Sequence, residues 1–349
     1  MKLSLFKYDL PEKLIALNPC KNRDESRLMV VCRSTGKIQH KKFKDFINYF
    51  NNEDTLVVND TKVFQSVLYG RKEKTGAEIE VFLLRELNKD LYLWDTLVEP
   101  ARKIRVGNKL FFGNQNNLVA EVLDNTTSRG RTIKFLFNGS SSEFYNKINM
   151  LGCTPIPKNI KRFVKSDDKL RYQTIYAKYP GAVAAPAAGF HFTPHILKKL
   201  KINGINIASI TNHIGLGTLK IVDVEDLTKY RVDSERFEIL ENSVNIINET
   251  LKKNKKVCAV GISSIKSLES SISVLGKLRS KKDWTNKFIF PPYDFKVCNA
   301  LLTNFHLPSS ILLMTTSAFG GYDIIMNAYN VAIKEKYRFF IYGDAMLII

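Results

Sequence analysis

The segment AEIEVFLLRELNKDLYLWDTLVEP, residues 77–100, holds two apolar runs with partial alternation, separated by Asn88, Lys89 and Asp90. Alternation places one face of a strand on a core, and Asn and Asp between two such runs favour a turn. Three further runs of this kind follow, separated by Gly, Asn or Asp: NKLFFGN, NLVAEVLD and TIKFLFNG. Short strands at this spacing are typical of a small antiparallel barrel or sandwich. We therefore expect a β-barrel over residues 67–137.

The residues on either side of this segment have a different pattern. Buried-type apolar runs alternate there with amphipathic helical stretches, including HILKKLKING, INIASITNH, SVNIINETLKKN, KVCAVGI, SIKSLESSIS and LLTNFHLP. Strands that alternate with helices indicate an α/β arrangement. The sequence therefore predicts a discontinuous domain of mixed α/β type over residues 1–66 and 138–349, with the small antiparallel β-barrel inserted into it.

Composition narrows the class of protein. With 349 residues, 44% hydrophobic and 25% charged, the chain has the make-up of a globular protein, but its formal net charge of +19 points to a polyanionic partner such as nucleic acid. The five cysteines form no C-x-x-C pair, which argues against a zinc site or a disulfide framework and favours the reducing cytoplasm. We find no long apolar run and expect no membrane segment, and nothing indicates an obligate oligomer.

The stretch PGAVAAPAAGFHFTP, residues 180–194, has unusually small side chains. One interpretation is a tight loop that leads into a helix at Pro194. The other is that Ala184, Ala185 and Gly189 let the backbone approach a flat ligand, with His191 beside it. The residue types alone leave both interpretations open.

Polar residues also follow several apolar runs of the α/β part, at the edge where open parallel sheets bind their ligands. Each cluster also has a structural explanation: a glycine-rich turn, a helix N-cap or a buried, hydrogen-bonded histidine. We expect these residues to contribute to a binding site: Asn212, His213, Gly215, Gly217, Ser264, Glu269, Asn304, His306, Tyr342 and Asp344.

Common enzyme signatures are absent from the sequence. We find no G-x-G-like nucleotide loop, no G-x-x-x-x-G-K-[ST], no H-E-x-x-H and no nucleophile elbow. The missing loop disfavours an ordinary methyltransferase. The barrel and the positive charge alone would suffice for an RNA-binding module without catalysis.

The chain resembles the S-adenosylmethionine:tRNA ribosyltransferase-isomerase family of queuosine biosynthesis over essentially its whole length. The resemblance is carried by YDLPEKLIALNP, RDESRLMVV, LVVNDTKV, VEPARKIRVG, RYQTIYAKYPGAVAAPAAGFHFT, NHIGLGT, PPYDFKVCNALLTNFHLPSS, SAFGGYD and AYNVAIKEKYRFFIYGDAM. It implies transfer of the ribosyl group of S-adenosylmethionine, a consumed co-substrate, to 7-aminomethyl-7-deazaguanine in tRNA. Epoxyqueuosine-tRNA, adenine and methionine would be the products.

This chemistry needs a general base but no metal. His191, His213 and His306 are the candidates for the base, and Asp60 and Asp344 are candidates for holding ribose hydroxyls, the amine or a histidine tautomer. The basic residues of the barrel are candidates for contacts to tRNA phosphates: Arg71, Lys72, Arg102, Lys103 and Arg105. Their alternative role is a charged sheet edge that prevents aggregation.

Two segments depart from the family pattern. Gln65, Ser66 and Val67 stand where Pro-Ala-Arg is expected, and Tyr230 and Asp233 stand at the two histidines of a His-x-Met-His-x-Glu run. The departures indicate either a decayed enzyme or positions that only support catalysis. We favour the second interpretation, because the other motifs are intact.

Overall fold

The computed structural model describes residues 1–349, with the exception of the side chain of Gln115. The chain divides into two compact units. The first comprises Met1–Lys62, Pro157–Arg162 and Arg171–Ile349, and the second comprises Val63–Ile156 and Phe163–Leu170.

The described residues form strands and α-helices with the following bounds. The strands are β1 (Arg27–Val31), β2 (Ile38–Lys42), β3 (Thr55–Asn59), β4 (Thr61–Val63), β5 (Val67–Lys72), β6 (Glu78–Asn88), β7 (Leu93–Glu99), β8 (Lys109–Phe112), β9 (Leu118–Asn125), β10 (Gly130–Phe135), β11 (Gly152–Cys153), β12 (Tyr179–Ala182), β13 (Asn206–Asn212), β14 (Glu235–Ile239), β15 (Val257–Val260), β16 (Lys281–Thr285), β17 (Ala300–Asn304) and β18 (Ala345–Ile348). The helices are α1 (Ser141–Leu151), α2 (Asp168–Arg171), α3 (Pro194–Ile202), α4 (Glu241–Lys252), α5 (Ile262–Glu269), α6 (Ile311–Gly320) and α7 (Tyr322–Lys334).

The first unit is built on a nine-stranded mixed sheet with the order β16-β14-β13-β3-β15-β17-β18-β1-β2. Strands β13, β3, β15 and β17 run parallel, so their carboxyl ends meet at one edge. Strand β18 is antiparallel to β17 and begins at that edge, and β1 is parallel to β18.

The central strands are apolar throughout because both faces of the sheet are covered. In β3, for example, all five residues are buried. Successive side chains point to opposite faces: Val57 and Ala259 belong to one core, and Leu56 and Cys258 belong to the other. A sheet buried on both faces leaves its edge at the carboxyl ends as the natural place for polar groups.

The second unit is a closed six-stranded antiparallel barrel. The strand order is β5-β6-β7-β10-β9-β8, and pairing of β8 with β5 closes it. Inward side chains such as Val81, Leu110 and Ile133 fill the interior. The α/β prediction with an inserted small antiparallel β-barrel is therefore confirmed.

This unit is larger than the predicted segment 67–137, because two elements after residue 137 belong with it. Helix α1 starts at a capping box formed by Ser140 and Glu143. It buries Phe144 and Ile148 in the barrel core, and strand β11 then pairs with β5. The alternating pattern of the strands could not indicate that a helix outside them covers the barrel core.

Two further properties concern the whole described chain. No helix among the described residues is both long and apolar enough to cross a membrane. All five cysteines have free thiols.

Candidate active site

A cleft of ≈ 570 Å³ lies at the edge of the first unit where the parallel strands end. One wall is the alanine-rich segment, from Ala184 to Ala188. The facing residues come from the ends of β15 and β17 and from the segment after β13, and include Thr218, Gly261, Ser263, Thr303, Asn304 and His306. The cleft thus brings together several of the predicted motifs.

The alanine-rich wall is formed by the end of β12 and a 3-10 helix over Ala187–His191. Gly189 has no room for a side chain, because a Cβ there would lie 2.2 Å from the Tyr176 hydroxyl oxygen. Pro194 and the side chain of Thr193 then start α3, with the Thr193 oxygen accepting from the Ile196 N–H. The helix start is therefore observed, and the stretch also forms a wall of the cleft. The approach of a flat ligand to this wall stays a prediction.

An amide network lies under the cleft. The Asn59 Nδ2 donates to the Asn212 carbonyl at 3.0 Å and to Ser263 Oγ at 3.1 Å. In turn, the Asn212 backbone N–H donates to Asn59 Oδ1, and Asn212 Nδ2 donates to Ser267 Oγ. These bonds fix three neighbouring segments at the sheet edge and orient Ser263 toward the cleft.

His306 lies on the cleft wall and is 8% exposed. Its Nε2 is 2.7 Å from Thr303 Oγ1, and Tyr8 and Tyr329 hold its backbone carbonyl and N–H. Burial lowers the pKa of the imidazole to about 3, so the ring is neutral at pH 7. Among the described residues, Nδ1 makes no hydrogen bond.

His191 is also buried, but both of its ring nitrogens have partners. Nδ1 is 2.7 Å from Ser26 Oγ, and Nε2 is 3.1 Å from Asn304 Oδ1. Because an amide oxygen only accepts, Nε2 carries the proton. Burial lowers the pKa to about 4, and the bond to Asn304 opposes this only in part. The geometry is that of a residue that orients Asn304.

His213 and Asp60 lie together on the other side of the same edge. His213 Nδ1 is 2.8 Å from Thr61 Oγ1, and burial lowers its pKa to about 4. The Thr211 hydroxyl donates to Asp60 at 2.6 Å, and burial raises the pKa of the Asp60 carboxyl. Neither residue lines the cleft.

Asp344 and Tyr342 lie next to His191 rather than in the cleft. The Asp344 carboxylate accepts from the backbone N–H of Arg27 at 3.1 Å and of Arg338 at 2.8 Å. Tyr342 packs edge-on against Tyr172 and contacts the Phe190 ring. Each carboxylate oxygen of Asp344 thus accepts a backbone N–H, which fixes the chain at this turn. A role for Asp344 in holding ribose hydroxyls, the amine or a histidine tautomer stays a prediction.

Ser264 and Glu269, two predicted binding residues on α5, do not line the cleft. The Ser264 hydroxyl donates back to the Val260 carbonyl at 2.9 Å, and it is the preceding Ser263 that lines the cleft. Glu269 lies at the far end of α5, where it accepts from the N–H groups of Lys296 and Val297. Their predicted binding roles stay predictions.

A buried ion pair that the sequence analysis missed supports the segment of Gly215 and Gly217, which do not line the cleft themselves but precede Thr218, which does. Glu235 and Lys266 approach to 2.9 Å, with side chains only 3% and 9% exposed. Glu235 also accepts from the Gly215 N–H and the Thr218 hydroxyl. Gly217 is required, since a Cβ would lie 2.5 Å from Asp233 Oδ2. In the segment that departs from the family's His-x-Met-His-x-Glu pattern, Glu235 is the residue that is retained. This retained glutamate was the sequence signal that could have pointed to the site.

The predicted phosphate contacts lie on the second unit. Lys72 Nζ donates to the Lys103 carbonyl at 3.0 Å, so the end of β5 adjoins the loop after β7. Arg71, Arg102, Lys103 and Arg105 are exposed and Lys72 is partly exposed. The structure thus gathers these residues at a common part of the barrel.

Comparison with known proteins shows the family. Residues 3–348 match the queuosine biosynthesis protein family. Relatives named S-adenosylmethionine:tRNA ribosyltransferase-isomerase include one from Amoebophilus asiaticus, 62% identical, and one from Cytophaga hutchinsonii, 58% identical, each covering 100% of both chains. A crystal structure of S-adenosylmethionine tRNA ribosyltransferase from Thermotoga maritima is 32% identical, with a TM-score of 0.55 over 99% of this chain and 100% of that one.

The full-length matches define a class first: the chain is an enzyme, a transferase. It belongs to the queuosine biosynthesis protein family, whose curated relatives carry the ribosyltransferase-isomerase name. The resemblance stated from the sequence motifs is confirmed.

Proposed function

We propose that the chain transfers and isomerises the ribosyl moiety of S-adenosylmethionine onto 7-aminomethyl-7-deazaguanine in tRNA. The products are epoxyqueuosine-tRNA, adenine and methionine, and S-adenosylmethionine is consumed. The observation that carries this proposal is the flat-walled cleft at the carboxyl ends of the parallel strands.

The alanine wall suits a planar base or an adenosyl group. Ala184, Ala185 and Ala188 present little more than backbone and methyl groups, so a ring can lie directly on the wall. Ser263 and Thr303 add hydroxyl groups to the lining, whereas the Asn304 amide is already bonded to His191 and to the carbonyls of Phe340 and Ile341. A mainly apolar slot with a few polar groups both binds and orients a flat ligand.

We assign the role of general base to His306. The sulfonium acidifies the C5′ protons of its ribosyl group, and a neutral imidazole can take one of them, with loss of adenine and attack by the amine of the deazaguanine. His306 lines the cleft, and Thr303 bonds its Nε2, which leaves Nδ1 as the proton acceptor. Burial keeps the free ring unprotonated at pH 7 but also makes it a weak base, so the assignment rests on its position in the cleft. His191 acts by holding Asn304.

The basic residues of the barrel would supply phosphate contacts to tRNA. Arg71, Lys72, Arg102, Lys103 and Arg105 carry the charge for this, and the net charge of +19 gives a long-range attraction. We further expect the enzyme to act as a monomer in the cytoplasm.

The test is incubation of the protein with labelled S-adenosylmethionine and tRNA. We expect adenine and methionine only when the tRNA carries the aminomethyl-deazaguanine, because its amine is the acceptor. Equal adenine release with unmodified tRNA, or none with modified tRNA, contradicts the proposal. Methylated RNA would instead indicate a methyltransferase, and binding without turnover would indicate an RNA-binding protein.

A further inference from the structure

The cleft shares part of its lining with a neighbouring cavity of the first unit. Two hydroxyl residues, Thr218 and Ser263, line both, together with the apolar residues Ile262 and Leu312. Thr218 belongs to the segment after β13, and Ser263 is the second residue of α5. Because the same residues line both cavities, the two hydroxyl groups lie at the boundary between them. What each hydroxyl can donate or accept decides which ligand groups fit there.

Thr218 can act toward a ligand only as a hydrogen-bond acceptor. Its hydroxyl donates to Glu235 Oε1 at 2.6 Å. Glu235 also lies 2.9 Å from the Lys266 ammonium, and a carboxylate in such an ion pair accepts hydrogen bonds and donates none. The single hydroxyl proton of Thr218 is therefore committed, and only the lone pairs of its oxygen remain for a ligand in the cleft.

Ser263 has the opposite character. Asn59 Nδ2 donates to Ser263 Oγ at 3.1 Å. The other end of this amide fixes its orientation, because Asn59 Oδ1 accepts from the backbone N–H groups of Thr61 and Asn212. Ser263 Oγ therefore already accepts one bond, and among the described residues its own proton has no acceptor. The serine can donate that proton to a ligand in the cleft.

The cleft offers few other partners to the edge of a base. Thr303 Oγ1 bonds the His306 ring at 2.7 Å, and the Asn304 amide nitrogen donates to the carbonyls of Phe340 and Ile341. The boundary itself adds only apolar side chains to the two hydroxyls. An edge with one donor beside one acceptor therefore fits here, whereas an edge with a further amino group would leave that group without a partner.

We propose that Thr218 and Ser263 recognise the edge of adenine in the adenosyl group of S-adenosylmethionine. The 6-amino group of adenine donates to Thr218 Oγ1, and the ring nitrogen beside it accepts from Ser263 Oγ. A guanine-type edge has a carbonyl in place of this amino group, so its oxygen would face the lone pairs of Thr218. The assignment to S-adenosylmethionine rests on the proposed function, and the two residues determine specificity rather than catalyse the reaction.

The test compares S-adenosylhomocysteine with S-inosylhomocysteine, two ligands that lack the reactive sulfonium and differ in this edge. The inosyl compound has a carbonyl oxygen in place of the amino group and a proton on the neighbouring ring nitrogen. Binding of each compound to the protein without tRNA is measured by calorimetry. We expect the wild type to bind the adenosyl compound about tenfold or more tightly, because the inosyl edge mismatches both hydroxyls.

Variants assign this preference to the two side chains. Thr218→Val keeps the shape of the side chain but removes the acceptor, so we expect it to lose most of the preference, whereas Thr218→Ser keeps it. Ser263→Ala should weaken binding of the adenosyl compound by about tenfold. The matched control is Ser142→Ala, at the same position of α1 but exposed, and it should bind as the wild type does.

The preference is a ratio of two dissociation constants measured on one protein, so a loss of folded protein does not change it. Equal binding of the two compounds by the wild type, tighter binding of the inosyl compound, or no binding of either overturns the proposal. So does a Thr218→Val variant that keeps the full preference, or a Ser263→Ala variant that binds as tightly as the wild type. Because no turnover is involved, such a failure leaves the proposed function standing, and a protein that releases no adenine can still show the preference.

Discussion

The sheet edge of the first unit and the basic face of the barrel use polar residues in opposite ways. At the sheet edge, Asn59, Asn212 and His191 are buried and bonded to one another at 3.0–3.1 Å or to neighbouring segments. On the barrel, Arg71, Arg102 and Arg105 are exposed. A buried network acts through geometry, so one substitution disturbs several partners, whereas exposed charges act through an additive, salt-screened field.

The largest expected difference between buried and exposed polar residues concerns the buried ion pair of Glu235 and Lys266. Lys266→Met leaves a buried carboxylate without its partner and should cost about 3–5 kcal/mol of unfolding free energy. Urea denaturation measures this. The matched control is Lys282→Met, which removes the exposed partner of Glu238 on the same strand and should cost at most about 1 kcal/mol. Equal losses in the two variants would show that burial does not distinguish these pairs.

The next largest effect concerns the proposed base. His306→Ala should lower kcat by about a hundredfold or more, with partial rescue by added imidazole. His195→Ala, on the exposed side of α3, is the control and should leave kcat unchanged. His191→Ala should also lower kcat by about a hundredfold or more if His191 is the base after all. Imidazole rescue of His191→Ala, without rescue of His306→Ala, would reverse our assignment.

Three histidines whose pKa is lowered by burial, His191, His306 and the half-buried His213, also predict how stability depends on pH. Burial lowers the pKa to about 4 for His191 and His213 and about 3 for His306, against about 6.5 in an unfolded chain. Below about pH 6.5 the unfolded chain therefore binds protons that the folded chain does not. The full stability is present above that pH and falls as the pH drops toward 4.

Each histidine contributes a slope of up to about 1.4 kcal/mol per pH unit. Denaturation across this range measures the total, and His306→Gln should reduce the slope. A stability that is constant from pH 7 to pH 4 would contradict the neutral, buried state of these rings.

On the barrel, the expected effects are smaller and additive. Arg102→Gln and Arg105→Gln should each lower the slope of log K for tRNA against log salt by about one unit. Binding titrations at several salt concentrations measure the slopes. If neither variant changes it, the tRNA surface lies elsewhere.

The smallest effect is expected at the two departures from the family motif. Asp233 makes an exposed ion pair with Lys220, and Tyr230 packs edge-on against Phe288. Tyr230→His with Asp233→His should therefore change turnover much less than the roughly hundredfold typical of a general base. An inactive wild type that becomes active in the double variant would place the essential groups at residues 230–235.

How much of the site the sequence could predict depends on the distance over which residues interact. The alanine wall and His306 were accessible, because a run of small residues and a polar residue after a strand are local signals. Which serine of the Ser263-Ser264 pair lines the cleft was not accessible, because one residue along a helix rotates the side chain by about 100°. The motif pointed to Glu235 alone, and its pairing with Lys266 was not accessible, since the two residues meet only through the topology of the sheet.

The same gap applies to the fold. Alternation along β6 and β7 indicated the barrel, because cross-strand neighbours are joined by short turns. Closure by α1 depended instead on Phe144 and Ile148 fitting between strands. Sequence periodicity reports which face is buried, but not the element that buries it.

The position of β18 between β17 and β1 affects how the protein is made on the ribosome. Strand β1 joins the rest of the sheet through β18, and the neighbouring bond from Arg27 to Asp344 spans 317 residues. At about 5–20 residues per second, the hairpin β1–β2 leaves the exit tunnel roughly 15–60 s before its partner is synthesised. During that interval the apolar strand RLMVV has an unpaired edge, so nascent chains of this protein should depend on chaperones that cover it.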